Sequence, residues 1–364
     1  MNRTRTRSPL AAAGAMALAC SLGAALPAHA APRGPAAAVT ETAFAGPADG
    51  TVACTARDGL AGRLAHDVAG ALRDRRSRVS LAWAEHRTGA TCVLGPQRTF
   101  DAASVVKPVV LGTLLWSRHG VLSPQEKTLA RKMIVDSDNA ATERLWKDLS
   151  TAAASGPSVP TAVQGFLTAA HMDHTVPSRG TTFGLTRVTA PDLLRLLQVY
   201  RGGAGLLDAP SRAYALGLMA DVRADQRWGA PAGAPEGAEV HVKNGWLQRS
   251  RQADDVDDRG DWKINSMAAV TSADRDYDLV VLTENNRVPG HPAREGYAYG
   301  VATVEGVAKA VNRALAADGP DHAGASAAGA GKPPAGGPAG MDVAVAAGGA
   351  VVAAAGHRHL RRGR

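Results

Sequence analysis

Hydrophobic positions along the chain follow two spacings, one typical of helices and one typical of strands. Apolar residues three and four apart predict helices over residues 58–76, 104–115, 123–133, 139–149, 190–200, 211–222 and 300–316. Shorter apolar stretches predict strands over residues 79–83, 90–94, 240–247, 262–271 and 277–283. The first two strands flank Thr88-Gly89, a turn sequence that predicts a β-hairpin.

The order of these elements predicts the fold class. One helix and two strands come first, several helices follow, and three strands and a last helix close the pattern. Strands from distant parts of a chain can complete one antiparallel sheet when helices are inserted between them. We therefore expect an α+β fold over residues 53–318, with an antiparallel sheet, flanking helices and an inserted helical lobe.

The first thirty residues have the pattern of a secretory signal peptide. Three arginines precede an apolar stretch over residues 10–26, and Ala28-His29-Ala30 forms a small-residue cleavage site. A lipoprotein signal ending at Cys20 is the alternative, although Ala17 stands where such signals usually carry Leu. Removal of residues 1–30 would leave residues 31–52 as the mature N-terminal segment. We expect a secreted or extracytoplasmic protein, with attachment to the cell surface as an open alternative.

The character of the chain changes again towards its C-terminus. Residues 319–340 are rich in Gly, Ala and Pro, which predicts a flexible linker. Residues 341–364 combine a short apolar segment with a basic end, an order typical of a tail held in a membrane. Its apolar part, residues 343–356, is shorter than the roughly 20 residues that a spanning helix needs. Membrane association through this tail therefore stays an alternative.

The distribution of charge argues against a nucleic-acid partner. The formal net charge is +8, but residues 31–318 carry 33 basic and 31 acidic residues, so the excess lies in the two ends. Neither the pair His171 and His174 nor the aspartates of residues 254–261 have the spacing of a zinc or calcium site. We expect no metal, no cofactor, and a monomer.

Two cysteines remain in the mature chain if the signal peptide is removed. Cys54 and Cys92 are an even pair, and neither has a metal-binding neighbourhood. An oxidising compartment favours a disulfide between them. Two buried free thiols are the alternative, because a sequence does not reveal the Cα separation that a bridge requires.

Ser104 and Lys107 are the first residues with candidate chemistry. Three residues make nearly one helical turn, so the two side chains share a face. A serine hydroxyl is a weak nucleophile until a base takes its proton. A lysine within an apolar stretch can act as that base, because desolvation lowers its pKa. A helix cap beside a surface lysine is the alternative, but this S-x-x-K is the one such sequence in the chain.

Two further groups follow along the chain. Ser137-Asp138-Asn139 comes after the apolar pair Ile134-Val135, and it is either a helix cap or a proton relay with a substrate-binding amide. Lys243-Asn244-Gly245 lies in a predicted strand, where the lysine indicates a cleft or an edge. The glycine would let a ligand approach the backbone closely.

Taken in this order, the three groups resemble the signature of the class A β-lactamases and penicillin-binding proteins. The likeness covers about residues 53–317, because the hairpin, the closing strands and the last helix also follow that family's order. Residues 225–229 and 243–247 are in addition similar to those of the secreted actinobacterial β-lactamase-like serine hydrolases. The resemblance implies the β-lactamase/transpeptidase-like fold and a serine hydrolase that works through an acyl-enzyme.

The resemblance also implies roles for four catalytic residues. Ser104 would be the acylated nucleophile, and Lys107 would be its base or proton relay. Ser137 would protonate the departing nitrogen, and Lys243 would supply positive potential for a substrate carboxylate and for Ser137.

The same resemblance implies the substrate contacts. Asn139 would position the substrate amide, and the backbone N–H groups of Ser104 and Trp246 would form the oxyanion hole. Asn244 and Gly245 would complete this strand of the site. Asn244 replaces the family's threonine, so an amide stands in place of the hydroxyl that usually holds the substrate carboxylate.

One element of the class A pattern is missing. Those enzymes carry a Glu-x-x-Leu-Asn loop whose glutamate activates the water that removes the acyl group. Between Asn139 and Lys243 the glutamates are Glu143, Glu236 and Glu239, and none of them has that context. We expect intact acylation and slow deacylation.

Several functions stay open at this stage. The first hypothesis is a secreted serine hydrolase acting on a small-molecule β-lactam, a peptidoglycan-like substrate or a related amide or ester. A D-alanyl peptidase or an esterase is a variant of this hypothesis. The alternative from another class is a slow or inert cell-surface binding protein that retains the fold.

Overall fold

A computed structural model describes residues 37–46, 50–151, 156–203, 205–253, 259–287, 290, 292 and 295–317. The predicted signal peptide (residues 1–30), linker (residues 319–340) and basic tail (residues 341–364) lie outside the described residues. In the part that is described, no helix has both the length and the apolar character needed to cross a membrane.

Eight α-helices belong to the described part of the chain. They are α1 (Leu60–Leu72), α2 (Val106–Ser117), α3 (Pro124–Val135), α4 (Asn139–Asp148), α5 (Thr161–Ala169), α6 (Ala190–Arg201), α7 (Ala209–Ala220) and α8 (Glu295–Ala316). Seven of them match predicted helices within a few residues. The eighth, α5, is not among the predicted helices. It contains the apolar residues Val163, Phe166 and Leu167, and all three are buried.

The strands of the described residues form two sheets. They are β1 (Val39–Gly46), β2 (Gly50–Ala56), β3 (Arg78–Glu85), β4 (Thr91–Leu94), β5 (Phe100–Asp101), β6 (Arg187–Val188), β7 (Glu239–Gln248), β8 (Trp262–Thr271) and β9 (Asp276–Glu284). Seven strands make one antiparallel sheet in the order β1-β2-β4-β3-β9-β8-β7, and β5 pairs with β6. The predicted antiparallel sheet completed by distant segments is confirmed.

Helices cover both faces of the large sheet. Consecutive side chains of a strand point to opposite faces, and β9 shows what each face contacts. The Tyr277 hydroxyl bonds Asn312 of α8, whereas the next residue, Asp278, pairs with Arg201 at the end of α6. The central strands are buried on both sides for this reason, and the fold is α+β as predicted.

The sheet begins earlier in the chain than the sequence predicts. The predicted domain starts at residue 53, which falls inside β2, and β1 lies wholly within the predicted N-terminal segment of residues 31–52. The sequence does not predict β1, because its residues do not alternate between apolar and polar. Most of its side chains are exposed. β1 pairs with β2 along its length, so the sheet includes residues of the predicted N-terminal segment, and the domain bounds of residues 53–318 stay a prediction.

Cys54 and Cys92 form a disulfide bond. They face each other directly across the antiparallel pair of β2 and β4, and both are buried. The expected bridge is thus present, and it joins the hairpin of β3 and β4 to the N-terminal edge of the sheet.

A buried aspartate anchors α6 to the sheet. Asp278 is fully buried, and its carboxylate lies 2.7 Å from Arg201 Nε and 2.9 Å from His86 Nε2. A buried carboxylate is stable when cationic groups of this kind compensate for its lost hydration. This contact holds the helical lobe on the sheet through a residue that makes no described contact with the candidate site.

Candidate active site

Ser104 lies in a tight turn that leads into α2. Residues Ala103–Val105 form a short 3-10 helix, and Ala103 has a left-handed backbone with φ of 48°. This conformation is unfavourable for a residue with a side chain, so neighbouring segments must hold it in place. The turn leaves the Ser104 side chain partly exposed at the start of the helix, where backbone N–H groups favour negative charge.

Lys107 lies one helical turn further on and is fully buried. Its ammonium donates hydrogen bonds to the Ser137 carbonyl, to Ser137 Oγ at 3.0 Å and to Asn139 Oδ1 at 2.9 Å. Among the described contacts, no hydrogen bond joins Lys107 to Ser104. The predicted S-x-x-K pair therefore shares a helix face, but its lysine is bonded to the second motif.

Ser137 occupies a strained position between α3 and α4. Its φ is 54°, another left-handed backbone. The next residue, Asp138, caps α4 by accepting a hydrogen bond from the Ala141 N–H at 2.6 Å. The cap interpretation thus applies to Asp138, while Ser137 and the exposed Asn139 turn towards Lys107.

Lys243 approaches Ser137 from the edge strand of the sheet. It is fully buried in β7, and its ammonium donates to Ser137 Oγ at 3.0 Å and to the Asn244 carbonyl at 3.0 Å. Both lysines therefore donate to one hydroxyl oxygen. Because a hydroxyl has two acceptor sites and one proton, this arrangement directs the Ser137 proton away from the lysines.

Burial changes the protonation of both lysines. Desolvation lowers the pKa of Lys107 to about 7, although nearby Asp138 opposes this shift. Desolvation also lowers the pKa of Lys243 well below its ordinary value, and the charge of Lys107 lowers it further. A neutral amine is thus available near neutral pH, which is the condition for a lysine general base.

Gly245 sets the distance between edge strand β7 and the turn of residues 102–105 that contains Ser104 (the Ser104 turn, or nucleophile turn in the mechanism proposed below). A Cβ at this position would lie 2.7 Å from Ser104 N, 2.8 Å from Val105 N and 3.0 Å from the Ala102 carbonyl. Any side chain here would displace the turn or the strand. The glycine predicted to permit close approach of a ligand therefore also permits close approach of the protein's own backbone.

Asn244 is placed differently from its neighbours. It is fully buried, and its amide nitrogen donates to the carbonyls of Gln226 and Trp228 at 2.9 and 2.8 Å. Both of its donors are used by this loop. Its role as a substrate contact stays a prediction.

Trp246 lies partly exposed next to Gly245 and belongs to an aromatic cluster. Its ring centroid is 6.1 Å from that of Trp228 and 6.2 Å from that of Tyr297. Tyr297 also contacts Trp262 at 5.6 Å. The sequence assigned Trp246 only a backbone role, and the cluster was not anticipated because its members come from separate segments.

Residues 174–188, the covering segment, pack over the Ser104 turn from the side of the helical lobe. The Ala102 N–H donates to the Thr186 carbonyl at 2.9 Å, and a Cβ on Gly184 would lie 3.6 Å from Ala103 Cα. The Phe183 ring centroid lies 6.0 Å from Lys107 Nζ. Residues 174–188 contain no Asp or Glu, so this covering segment presents no carboxylate.

Glu143, the first glutamate after Asn139 along the chain, is exposed on α4, as expected.

Two residues that support the turn were not identified from the sequence. Asn265 of β8 is fully buried and donates to the carbonyls of Asp101 and Ala102 at 2.9 and 3.1 Å. Asp101 is itself buried beside the turn. The signals that could have found them are an amide residue within a buried strand and an acid shortly before an apolar helix. The described residues contain no group of three or more His, Cys, Asp or Glu side chains that could hold a metal ion.

Comparison with known proteins identifies the family. The site combines the Ser104 turn, two buried lysines and a bridging serine on an α+β fold. A family model described as the beta-lactamase enzyme family matches residues 112–315, which is more than half of the sequence. The chain therefore belongs to the beta-lactamase enzyme family. The match begins after Ser104 and Lys107.

Solved structures agree on the fold. A β-lactamase from Desulfarculus baarsii is 18% identical with a TM-score of 0.54, covering 70% of this chain and 97% of its own. One from Streptosporangium roseum is 15% identical with a TM-score of 0.54, covering 70% and 99%. A mutant of PBP-A, as its acyl-enzyme complex with penicillin G, is 17% identical with a TM-score of 0.53, covering 70% and 96%. A search of curated proteins finds no match to this chain.

Replacement of Gly245 by Ala tests the contact between strand and turn. We expect Gly245→Ala to lower the free energy of unfolding by about 1–3 kcal/mol, because the added methyl group overlaps backbone atoms that cannot rotate away. Gly217→Ala is the matched control, since a Cβ there has nothing within 4 Å and Gly217 lies in the exposed part of α7. This control should be neutral or stabilising. Urea denaturation of both variants measures the difference, and equal stabilities would contradict the close approach.

Proposed function

We propose that this protein is a serine hydrolase that forms an acyl-enzyme on Ser104 with β-lactams or related amides and esters. The observation that carries the proposal is the hydrogen-bonded chain from Lys107 through Ser137 to Lys243, next to a nucleophile turn in contact with Gly245. Such a chain moves protons between a nucleophile and a leaving group. Family membership supports the same class of chemistry.

Acylation follows from the roles of four side chains. Ser104 Oγ attacks the substrate carbonyl carbon and gives its proton to neutral Lys107 or to a relay through Ser137. The new C–O bond forms and the C–N bond of the β-lactam or amide breaks. The Ser137 hydroxyl passes its proton to the departing nitrogen, and the proton taken from Ser104 returns to Ser137 through Lys107. Lys243 holds Ser137 in place through its hydrogen bond, and a substrate carboxylate bound beside it would favour its protonated, positively charged form. The charge that develops on the carbonyl oxygen would be met by the backbone N–H groups of Ser104 and Trp246.

The substrate half of the proposal rests on fewer contacts. Asn139 is exposed beside Lys107, where its amide is able to meet a substrate amide. Gly245 and Trp246 continue the strand past the nucleophile, and Asn244 supports this strand through its bonds to Gln226 and Trp228. We propose small-molecule β-lactams or peptidoglycan-like amides as the substrate class.

Slow deacylation is the finer part of the proposal. Removal of the acyl group needs a base beside the ester to activate water, a contribution of typically about 10²–10⁴-fold. The segment that covers the nucleophile turn contains no carboxylate, and between residues 145 and 191 the carboxylates are Asp148 and Asp173. Asp148 pairs with Arg144 on the surface of α4, and Asp173 is exposed.

An extracytoplasmic location fits the same proposal. The disulfide between Cys54 and Cys92 is of a kind that persists in oxidising compartments. The signal-like pattern of residues 1–30 is the second support, and it is a property of the sequence alone.

Replacement of Ser104 tests the nucleophile. We expect Ser104→Ala to abolish the mass increase that a penicillin produces on the protein, because no other hydroxyl lies at the start of α2. Ser123→Ala is the matched control: Ser123 caps α3, so its loss lowers stability by about 1 kcal/mol. The control should be labelled like the wild type. Intact-protein mass spectrometry reads both, and normal labelling of Ser104→Ala would reject the assignment.

The acylation rate should depend on pH through Lys107. Because burial lowers the pKa of Lys107 to about 7, the neutral amine is scarce below this pH and predominant above it. We expect the acylation rate of the wild type to rise through about pH 7 and then to level off. Lys107→Arg keeps the charge but removes a usable base, so acylation should fall by about 10²–10⁴-fold. Stopped-flow acylation with a chromogenic β-lactam measures both, and an unchanged rate in Lys107→Arg would exclude lysine as the base.

The lifetime of the acyl-enzyme tests the deacylation step. We expect the penicillin adduct to persist for minutes or longer after excess drug is removed, since the covering segment of residues 174–188 contains no carboxylate and the Asp101 carboxylate is held by two arginines. Mass spectrometry at successive times after desalting measures the decay, with release of hydrolysed penicillin measured in parallel. Loss of the adduct within seconds would show that another residue supplies the base, and Asp173→Asn would then be the first variant to examine. Absence of any adduct would favour an inert binding protein.

A further inference from the structure

The nucleophile turn is held in a conformation that it would not adopt alone. Ala103 immediately precedes Ser104 and has a left-handed backbone, with φ of 48°. A residue with a Cβ in this region loses about 1–2 kcal/mol relative to ordinary conformations. The turn therefore depends on contacts from outside to keep Ser104 where it is.

Three residues contact the backbone of the turn from three directions. Thr186 of the covering segment accepts the Ala102 N–H, Asn265 of β8 donates to two carbonyls, and Gly245 of β7 abuts the N–H side. These contacts restrain the main chain of the turn. They do not by themselves join the covering segment to the end of β7.

The carboxylate of Asp101 makes that connection. Asp101 is 1% exposed, and its two oxygens lie 2.9 Å from Arg187 Nη1 and 2.9 Å from Arg249 Nε. Arg187 ends the covering segment and also donates to the Thr99 carbonyl and hydroxyl. Arg249 directly follows β7. One buried charge thus joins the residue before the turn, the segment above it and the strand beside it.

The electrostatics make this junction sensitive to loss of charge. A buried carboxylate requires cationic partners, and removal of one partner from such a group is strongly unfavourable. Without the negative charge, two guanidinium groups would face each other across Asp101 and repel each other. Arg187 and Arg249 are 37% and 27% exposed, so both have room to separate, and the covering segment and the end of β7 would lose the contact that they share.

We infer that Asp101 is a positioning residue that holds the Ser104 turn in register with strand β7. The inference rests on the proposed function, because the register matters for acylation: the N–H groups of Ser104 and Trp246 must converge on one oxygen. Asp101 does not touch the reacting atoms. It acts through Arg187 and Arg249, and a misplacement of about 1 Å in such a site lowers the rate by about 10²-fold.

Asp101→Asn is the direct test because it removes the charge and keeps the shape. We expect the acylation rate constant at saturating chromogenic β-lactam to fall by about 10-fold or more, with the half-saturating concentration changed by no more than about twofold. Loss of a residue with a purely structural role would lower the melting temperature without lowering the rate constant at an unchanged half-saturating concentration. Asp278→Asn is the matched control, since Asp278 is also buried, contacts an arginine and a histidine, and lies away from the turn. Its melting temperature should fall while its acylation rate constant stays at the wild-type value.

A double-mutant cycle separates the junction from its parts. Arg249→Gln should lower the acylation rate constant by itself, and should add little to Asp101→Asn, because both changes break the same contact. The single variants Arg249→Gln and Arg187→Gln also serve if Asp101→Asn does not fold, since each leaves one arginine on the carboxylate. Additive effects of Asp101→Asn and Arg249→Gln would overturn the inference.

The failure of this inference differs from the failure of the proposed function. If the wild type is acylated on Ser104 and Asp101→Asn is acylated at the same rate, the positioning role is rejected and the proposed function stands. If neither a β-lactam nor an activated ester acylates the wild type, the proposed function is rejected, and the positioning role is rejected with it. A rate loss in Asp101→Asn that Asp278→Asn does not share supports both.

Discussion

Two lysine ammonium groups are buried against one serine hydroxyl, and the rest of the site depends on this arrangement. Lys107 and Lys243 have both lost their hydration, and each donates to Ser137 Oγ. Burial of a charge is unfavourable unless polar partners compensate for it. Desolvation lowers the pKa of both lysines, to about 7 for Lys107, so Lys107 can act as a base near neutral pH.

The fold produces this arrangement by bringing three distant segments together under strain. Ala103 and Ser137 both have left-handed backbones; Ala103 directly precedes Ser104, and Ser137 itself accepts hydrogen bonds from both lysines. Strained positions of this kind persist only where the surroundings over-determine them. Here the restraints are the close contact at Gly245, the amide of Asn265 and the carboxylate of Asp101. The strain and its restraints together give Ser104 a defined position relative to the edge strand.

The same segments bear on the proposed difference between acylation and deacylation. In the proposed mechanism, every side chain that helps to form an ester on Ser104 comes from the Ser104 turn, α2, the loop before α4, or β7. The groups needed to break that ester would come from the segment over the turn, and there the chain presents Phe183, Gly184 and Thr186. This segment contains no Asp or Glu that could accept a proton from a hydrolytic water.

The sequence alone determined the three motifs, the order of most elements and the α+β class, because these depend on local spacing. A lysine three residues after a serine must share its helix face, and apolar spacing reports which face of a helix is buried. The sequence could not determine that Lys107 bonds Ser137 rather than Ser104, that Asn244 turns to the loop of Gln226 and Trp228, or that β1 joins the sheet. It also did not single out Asp101 and Asn265, whose partners lie 86 and 164 residues away along the chain. Such contacts depend on how distant segments pack, and no local pattern carries that information.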